Sequence, residues 1–86
     1  MPINKNRIVE AYDLRGNTKI FLSRYGDAII DYNKAIEIDP QNAYLFFWRG
    51  FAFEVMKKYQ QATKDLSISL KLDPDFSLAK SLLDHI

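Results

Sequence analysis

Asp27 and Asp31 lie four residues apart, a spacing that puts two carboxylates on one face of a helix. Paired carboxylates can do acid–base work when something closes over them. No neighbouring residue pattern does so here, and the pair reads as a solvated face, with Asp27 favourable near a helix N-terminus. The single histidine, His85, stands one residue from the end of the 86-residue chain. It is expected at the surface, and no Ser-His-Asp constellation can be built without it. With no cysteine and one histidine, a closed zinc site lacks its ligand set. Asp73-Pro74-Asp75 has neither the glycine nor the distal glutamate of a calcium loop. The three glycines are scattered, so no phosphate-cradling loop is present. The reading is no enzyme, with no catalytic residue, no cofactor, no metal and no small-molecule substrate.

Charge excludes further classes. Twelve Lys and Arg are interleaved with eleven Asp and Glu, for a net charge of +1. No basic stripe follows a phosphate backbone, so nucleic acid is not expected as a partner. Lys57-Lys58 reads as a charged turn. The longest unbroken apolar run, Ala43 to Trp48, is far below the ~20 residues of a spanning helix, and no membrane partner is expected. The polar start, Met1 to Arg7, has no apolar signal segment. These features, with the absence of cysteine, suggest a cytoplasmic protein. Composition is 48% apolar with charges mixed throughout, as in a globular chain of one small domain spanning 1–86. A chain this short has a marginal core.

The elements that carry these residues come in duplicate. Arg15-Gly16 returns 34 residues later as Arg49-Gly50, Tyr25 as Tyr59, Ala28 as Ala62, Asp31 as Asp65, and Asp39-Pro40 as Asp73-Pro74. Each Asp-Pro stops a helix, because the residue before a proline avoids the helical region. Gly16 and Gly50 sit inside helical patterns, where glycine costs about 1 kcal/mol against alanine. Close approach by another backbone would explain them, with the small Ala28 and Ala62 suited to meet the glycines. This period and its landmarks resemble the tetratricopeptide repeat, a helix–turn–helix unit of the same length.

The resemblance covers residues 9–76 and a partial third copy from Ser77. It implies an all-α solenoid of five helices: repeat 1 at about 9–42, repeat 2 at about 43–76, and a capping helix at about 77–86. The hairpins should be antiparallel and stack right-handedly. The first helix is expected from Arg7 to Leu22, capped by Asn6 after a frayed leader of residues 1–6. Its core face would be Tyr12, Gly16 and Lys19, flanked by Ala11, Arg15 and Thr18, with Arg15 and Lys19 burying their stems and keeping their charges wet. The second helix should run from Gly26 or Asp27 to Ile38, packing Ala28, Tyr32, Ala35 and Ile36 inward. The fourth should run from Gln60 to Leu72 with Ala62, Leu66, Ser69 and Leu70 inward. Asp75 would cap a last helix from Phe76 to His85, with Ala79 and Leu83 inward.

The third helix, expected from Ala43 to Met56, is apolar nearly all round and so should have neighbours all round. One stripe, Phe46, Gly50 and Phe53, would face its hairpin partner. The other, Tyr44, Phe47, Trp48, Phe51 and Val55, points elsewhere. In the family, first helices line a concave groove that holds a peptide. Carried onto this sequence, the groove presents Glu10, Asp13, Leu14, Asn17 and Phe21, then Tyr44, Phe47, Trp48, Phe51 and Val55, then Leu78, Ser81, Leu82 and His85. One family mode grips the terminal carboxylate of heat-shock chaperones with lysine, asparagine and arginine. Only Asn17 matches it; Asp13, Trp48, Leu78 and Leu82 occupy the other places, which argues against that ligand.

Left open, the aromatic stripe would exceed what a soluble monomer exposes. The last helix and leader could fold over it, or a partner could. The second reading is preferred: a protein-interaction module for an apolar or amphipathic segment, centred on Trp48 and Phe47. The alternative is a self-assembly unit whose groove is consumed in a homodimer or larger oligomer, since such arrays usually need three repeats for stability.

Overall fold

A computed structural model describes residues 4–86. Five helices follow in order: α1 (Lys5–Phe21), α2 (Tyr25–Ile38), α3 (Ala43–Val55), α4 (Tyr59–Leu72) and α5 (Ser77–His85). The pairs α1–α2 and α3–α4 form hairpins, α2 packs on α3, and α5 on α4. The array measures 45 × 28 × 17 Å. No strand occurs among the described residues, as expected of an all-α repeat.

α1 starts two residues earlier than expected because Asn4, not Asn6, is its cap: the Asn4 side chain accepts from the Asn6 N–H at 3.0 Å. Of the expected leader, residues 1–3 lie outside the described residues. The two hairpin turns are built alike. Ser23 and Lys57 have φ of 61° and 63°. Arg24 N–H bonds the Lys19 carbonyl at 2.7 Å and Ser23 N–H that of Ile20 at 2.9 Å, and Lys58 and Lys57 repeat this pair on Phe53 and Glu54. This is the Schellman closure, which satisfies orphan carbonyls through one left-handed residue. Asp75 does not cap α5. Its own N–H donates to Asp73 Oδ1 at 3.2 Å, in a side-chain turn, and Phe76 takes the cap position with no side-chain bond.

One core cluster joins Val9, Ala28, Tyr32, Ala35 and Leu45; a second joins Ala43, Phe47, Leu66, Phe76 and Ala79. Leu45 thus ties α3 back to the first hairpin, and Phe47 ties it forward. α1 contributes Val9, which sequence reading passed over, while Ala11 and Thr18 are exposed. Ser69, buried in α4, donates to the Ala43 carbonyl at 2.8 Å and fixes the start of α3. The glycines make room for specific neighbours. A Cβ on Gly16 would lie 2.8 Å from the Tyr32 ring, so the side chain nearest to Gly16 is Tyr32. On Gly50 it would meet Leu66 Cγ at 3.1 Å, Asp65 Cβ at 3.2 Å and the Ala62 carbonyl at 3.3 Å.

The largest correction concerns Asp31. It is fully buried, not a solvated partner of the exposed Asp27. Arg15 donates to it through Nε at 3.0 and 3.1 Å and through Nη2 at 2.6 Å, and Lys19 Nζ lies 2.9 Å away. Both charges converge on this carboxylate, Arg15 while staying largely wet as expected and Lys19 while mostly covered. The second hairpin repeats the device, with Arg49 Nε and Nη2 each 2.8 Å from the Asp65 oxygens. Arg49 Nη1 also donates to Asn33 of α2 at 2.9 Å, so this guanidinium stitches the two hairpins together. Burial pushes the Asp31 carboxyl up, but the bonds from Arg15 and Lys19 outweigh it and hold its pKa below the ordinary value.

Candidate concave binding face

The repeat register places three rows side by side. Asp13 and Asn17 of α1 correspond to Phe47 and Phe51 of α3, and those to Ser81 and His85 of α5. Between α3 and α5 the rows enclose an open cavity of about 350 Å³, lined by Phe47, Phe51, Leu78, Ser81, Leu82 and His85. The short α5 sets its width: Phe76 and Ala79 are buried against Phe47 and Leu66, and this anchors the helix while Leu78 and Leu82 face the gap.

The aromatic stripe of α3 is not uniformly open. Phe47 is buried, with its ring 5.1 Å from those of both Phe76 and Trp48. The expectation of an open Phe47 fails because α5 and Phe76 cover it, which is the less favoured of the two expectations, a fold-over by the last helix. Phe76, expected only as the first residue of that helix, was not singled out as a covering side chain. Its signal was an apolar residue placed just after the second Asp-Pro turn. Trp48 is half-buried, packs against both core clusters, and meets Phe51 edge-on at 5.8 Å. It lies outside the cavity lining, at the seam of the two hairpins. Its loss would therefore cost core packing, which corrects its assignment as a pure contact residue.

The remaining candidates are surface residues of differing exposure. Tyr44 is 59% exposed, with one ring face 4.8 Å from Phe76. Leu14 and Phe21 on α1 are 70% and 88% exposed, and Leu78 on α5 is 59% exposed. Val55 is exposed at the end of α3 and is not part of the cavity lining. Asn17 is half-buried: its Oδ1 accepts from the Tyr32 hydroxyl, and its Nδ2 makes a long 3.5 Å contact with Asp13 Oδ1. Asp13 is half-buried too, and burial raises its pKa with no cation offsetting it. Tyr32 is driven well above the ordinary phenol by burial and by the charges of Asp13 and Asp31. The structure therefore gathers Phe47, Phe51, Leu78 and Leu82 around one cavity. Leu14, Asn17, Phe21, Tyr44, Trp48 and Val55 stand outside it.

Among the described residues no three His, Asp or Glu side chains gather to hold a metal ion. No helix of the described residues is long and apolar enough to cross a membrane.

Comparison with known proteins gives a consistent likeness. The family described as TPR repeat matches residues 16–57. Sperm-associated antigen 1 of Mus musculus is 36% identical over 76 residues, which is 88% of this chain and 8% of that protein. The chain thus spans a small part of that relative's length. Among solved structures, the first TPR of Spaghetti (RPAP3) bound to the HSP90 peptide SRMEEVD superposes with a TM-score of 0.87 at 26% identity, covering 90% of this chain and 61% of that one. The second TPR of the same protein, bound to the same peptide, gives 0.82 at 30% identity, covering 87% and 71%.

Proposed function

The chain belongs to the tetratricopeptide-repeat family, and from that premise we propose that it is a non-catalytic protein-interaction module. Its ligand is an apolar or amphipathic polypeptide segment, held on the concave face in the cleft between α3 and α5. The observation that carries this reading is the cavity itself. Its lining from α3 is aromatic, from α5 aliphatic, and its polar groups, Ser81 and His85, sit on one helix only. Such a lining rewards burial of side chains at roughly 1.5–3 kcal/mol each and offers few fixed hydrogen bonds. The neighbouring domains solved with the peptide SRMEEVD support a polypeptide as occupant.

Within the face, Phe51 and Leu82 replace Trp48 and Phe47 as the expected centre of binding, because they are half-buried and line the gap. Peptides selected from a displayed random library on the immobilised protein test this. Titration of the best peptide should shift the amide signals of Phe51, Leu78 and Leu82. Shifts confined to α2 and α4, or failure to select any peptide, would remove the reading.

A second reading, self-assembly through the same face, draws on the open Leu14 and Phe21 of α1. Sedimentation equilibrium decides it: a mass of 10.0 kDa independent of micromolar concentration excludes an oligomer.

A further inference from the structure

Building on the cleft assignment above, we propose that the segment held on this face carries lysine or arginine beside its apolar side chains, and is not an acidic chain end. The register sets the geometry. Asp13 occupies on α1 the place that Phe47 occupies beside the cavity on α3, and Glu10 the place of Tyr44. A segment crossing from α5 over α3 reaches these two carboxylates next.

The charges on that path are unbalanced. All three ion pairs among the described residues end on Asp31 or Asp65, and they use Arg15, Lys19 and Arg49. Arg15, Lys19 and Arg49 are thereby turned toward α2 or α4, and Lys5 and Arg7 at the start of α1 enter none of these pairs. Among the described residues, Glu10 and Asp13 have no cation within ion-pair distance. Arg7, one turn before Glu10, pairs with neither, and Lys80 of α5 sits in register with Phe46 and Tyr12, off the concave row. Asp13 is also half-buried, so its charge is poorly hydrated, and among the described residues its only side-chain hydrogen-bond contact is the long 3.5 Å one from Asn17 Nδ2, which carries no charge. A half-dry carboxylate beside an aromatic cleft fits an ammonium or guanidinium whose neighbours on the segment are apolar. The exposed Tyr44 ring adds a face for the same cation. An acidic peptide would meet like charge at Glu10 and Asp13.

Two labelled peptides test the idea by fluorescence anisotropy. One is SRMEEVD with its free carboxylate. The other keeps the Met and Val, replaces both glutamates and the final aspartate with lysine, and is amidated. The basic peptide should bind about tenfold tighter or more, and should weaken as salt rises. Asp13→Asn, checked for an unchanged helical spectrum, should weaken the basic peptide by about tenfold and leave the acidic one equal or improved. Leu82→Ser and Phe51→Ala should weaken the basic peptide without changing its salt dependence. Tighter binding of SRMEEVD, or an Asp13→Asn variant that binds the basic peptide as well as the parent does, overturns the charge proposal. If that binding is still lost in Leu82→Ser, the cleft assignment survives. Failure of both peptides to bind, or binding indifferent to both cleft substitutions, overturns the two together.

Discussion

Arg49→Ala should destabilise the protein far more than Arg15→Ala, although the two arginines hold the same place in successive repeats. Asp65 is almost fully buried and receives two bonds of 2.8 Å, both from Arg49. Arg49 is itself only 21% exposed. Removing it strands a buried carboxylate, and one-sided loss of a buried pair costs about 3–5 kcal/mol. It also drops the Asn33 bond between the hairpins. Asp31, in contrast, keeps Lys19 at 2.9 Å when Arg15 is removed. Arg15 is 57% exposed, so solvent already weakens its hold. The loss there should be about 1–2 kcal/mol, in the range of a charged hydrogen bond partly replaced by water. The difference arises because position 53, the register partner of Lys19, is Phe53. Urea unfolding followed by circular dichroism at 222 nm measures both, with equal slopes confirming that one transition is compared. An osmolyte added to all samples keeps Arg49→Ala within range if it is marginal. The double variant Arg15→Ala/Lys19→Met should then approach the cost of Arg49→Ala. Equal costs for the two single variants, or a double variant no worse than Arg15→Ala, would refute the stranded-carboxylate argument.

Three further outcomes follow from the same coordinates. Gly50→Ala should destabilise by about 1–3 kcal/mol in thermal melts despite alanine's better helix propensity, since the added methyl meets the Ala62 carbonyl, which cannot rotate away. Ser23→Gly and Lys57→Gly should each raise stability by about 0.5–1 kcal/mol in urea titrations, because φ near +60° strains a residue with a side chain, and glycine's freedom in the unfolded chain offsets only part of the gain. Asp31 is depressed below 3.8 in the fold, so its stabilisation is complete above that unfolded value and is lost as pH falls through the lower folded value. Acid unfolding followed by circular dichroism should begin below about pH 4, and at higher pH in Arg15→Ala, where one of the groups holding the carboxylate ionised is gone.

Much of the helix plan was legible because its signals are local. Asp39-Pro40 and Asp73-Pro74 end α2 and α4 wherever the rest of the chain goes, and the stripe Ala28, Tyr32, Ala35 needs only helical periodicity to appear. The Arg15–Asp31 pair was not read, since its members are sixteen residues apart and meet only once the hairpin closes. A signal was present: Arg15 and Asp31 recur together as Arg49 and Asp65, and two charges that repeat in step are candidates for one contact. The fate of Phe47 was harder. A helix apolar on every side tells that it is surrounded, not by what, and the cover came from Phe76 and Ala79, beyond the end of α4. Val9 escaped because the cluster that buries it is completed by Leu45, from the next hairpin.

The duplicated sequence also separates what packing demands from what it leaves free. Where hairpins must close, the two copies agree: glycine at 16 and 50, arginine at 15 and 49, aspartate at 31 and 65. In the last helix Leu83 replaces that arginine and packs against the second core cluster. The concave rows behave in the opposite way, with glutamate, tyrosine and leucine at 10, 44 and 78, and aspartate, phenylalanine and serine at 13, 47 and 81. Interhelical packing cannot require three such different side chains at one geometric position. Asp13 is the sharpest case, since burial works against its charge and, among the described residues, no cation pairs with it and only a long contact from Asn17 reaches it. A carboxylate held at a cost to the fold, on the row that lines the cleft, is better explained by what the face binds than by how the hairpins stack.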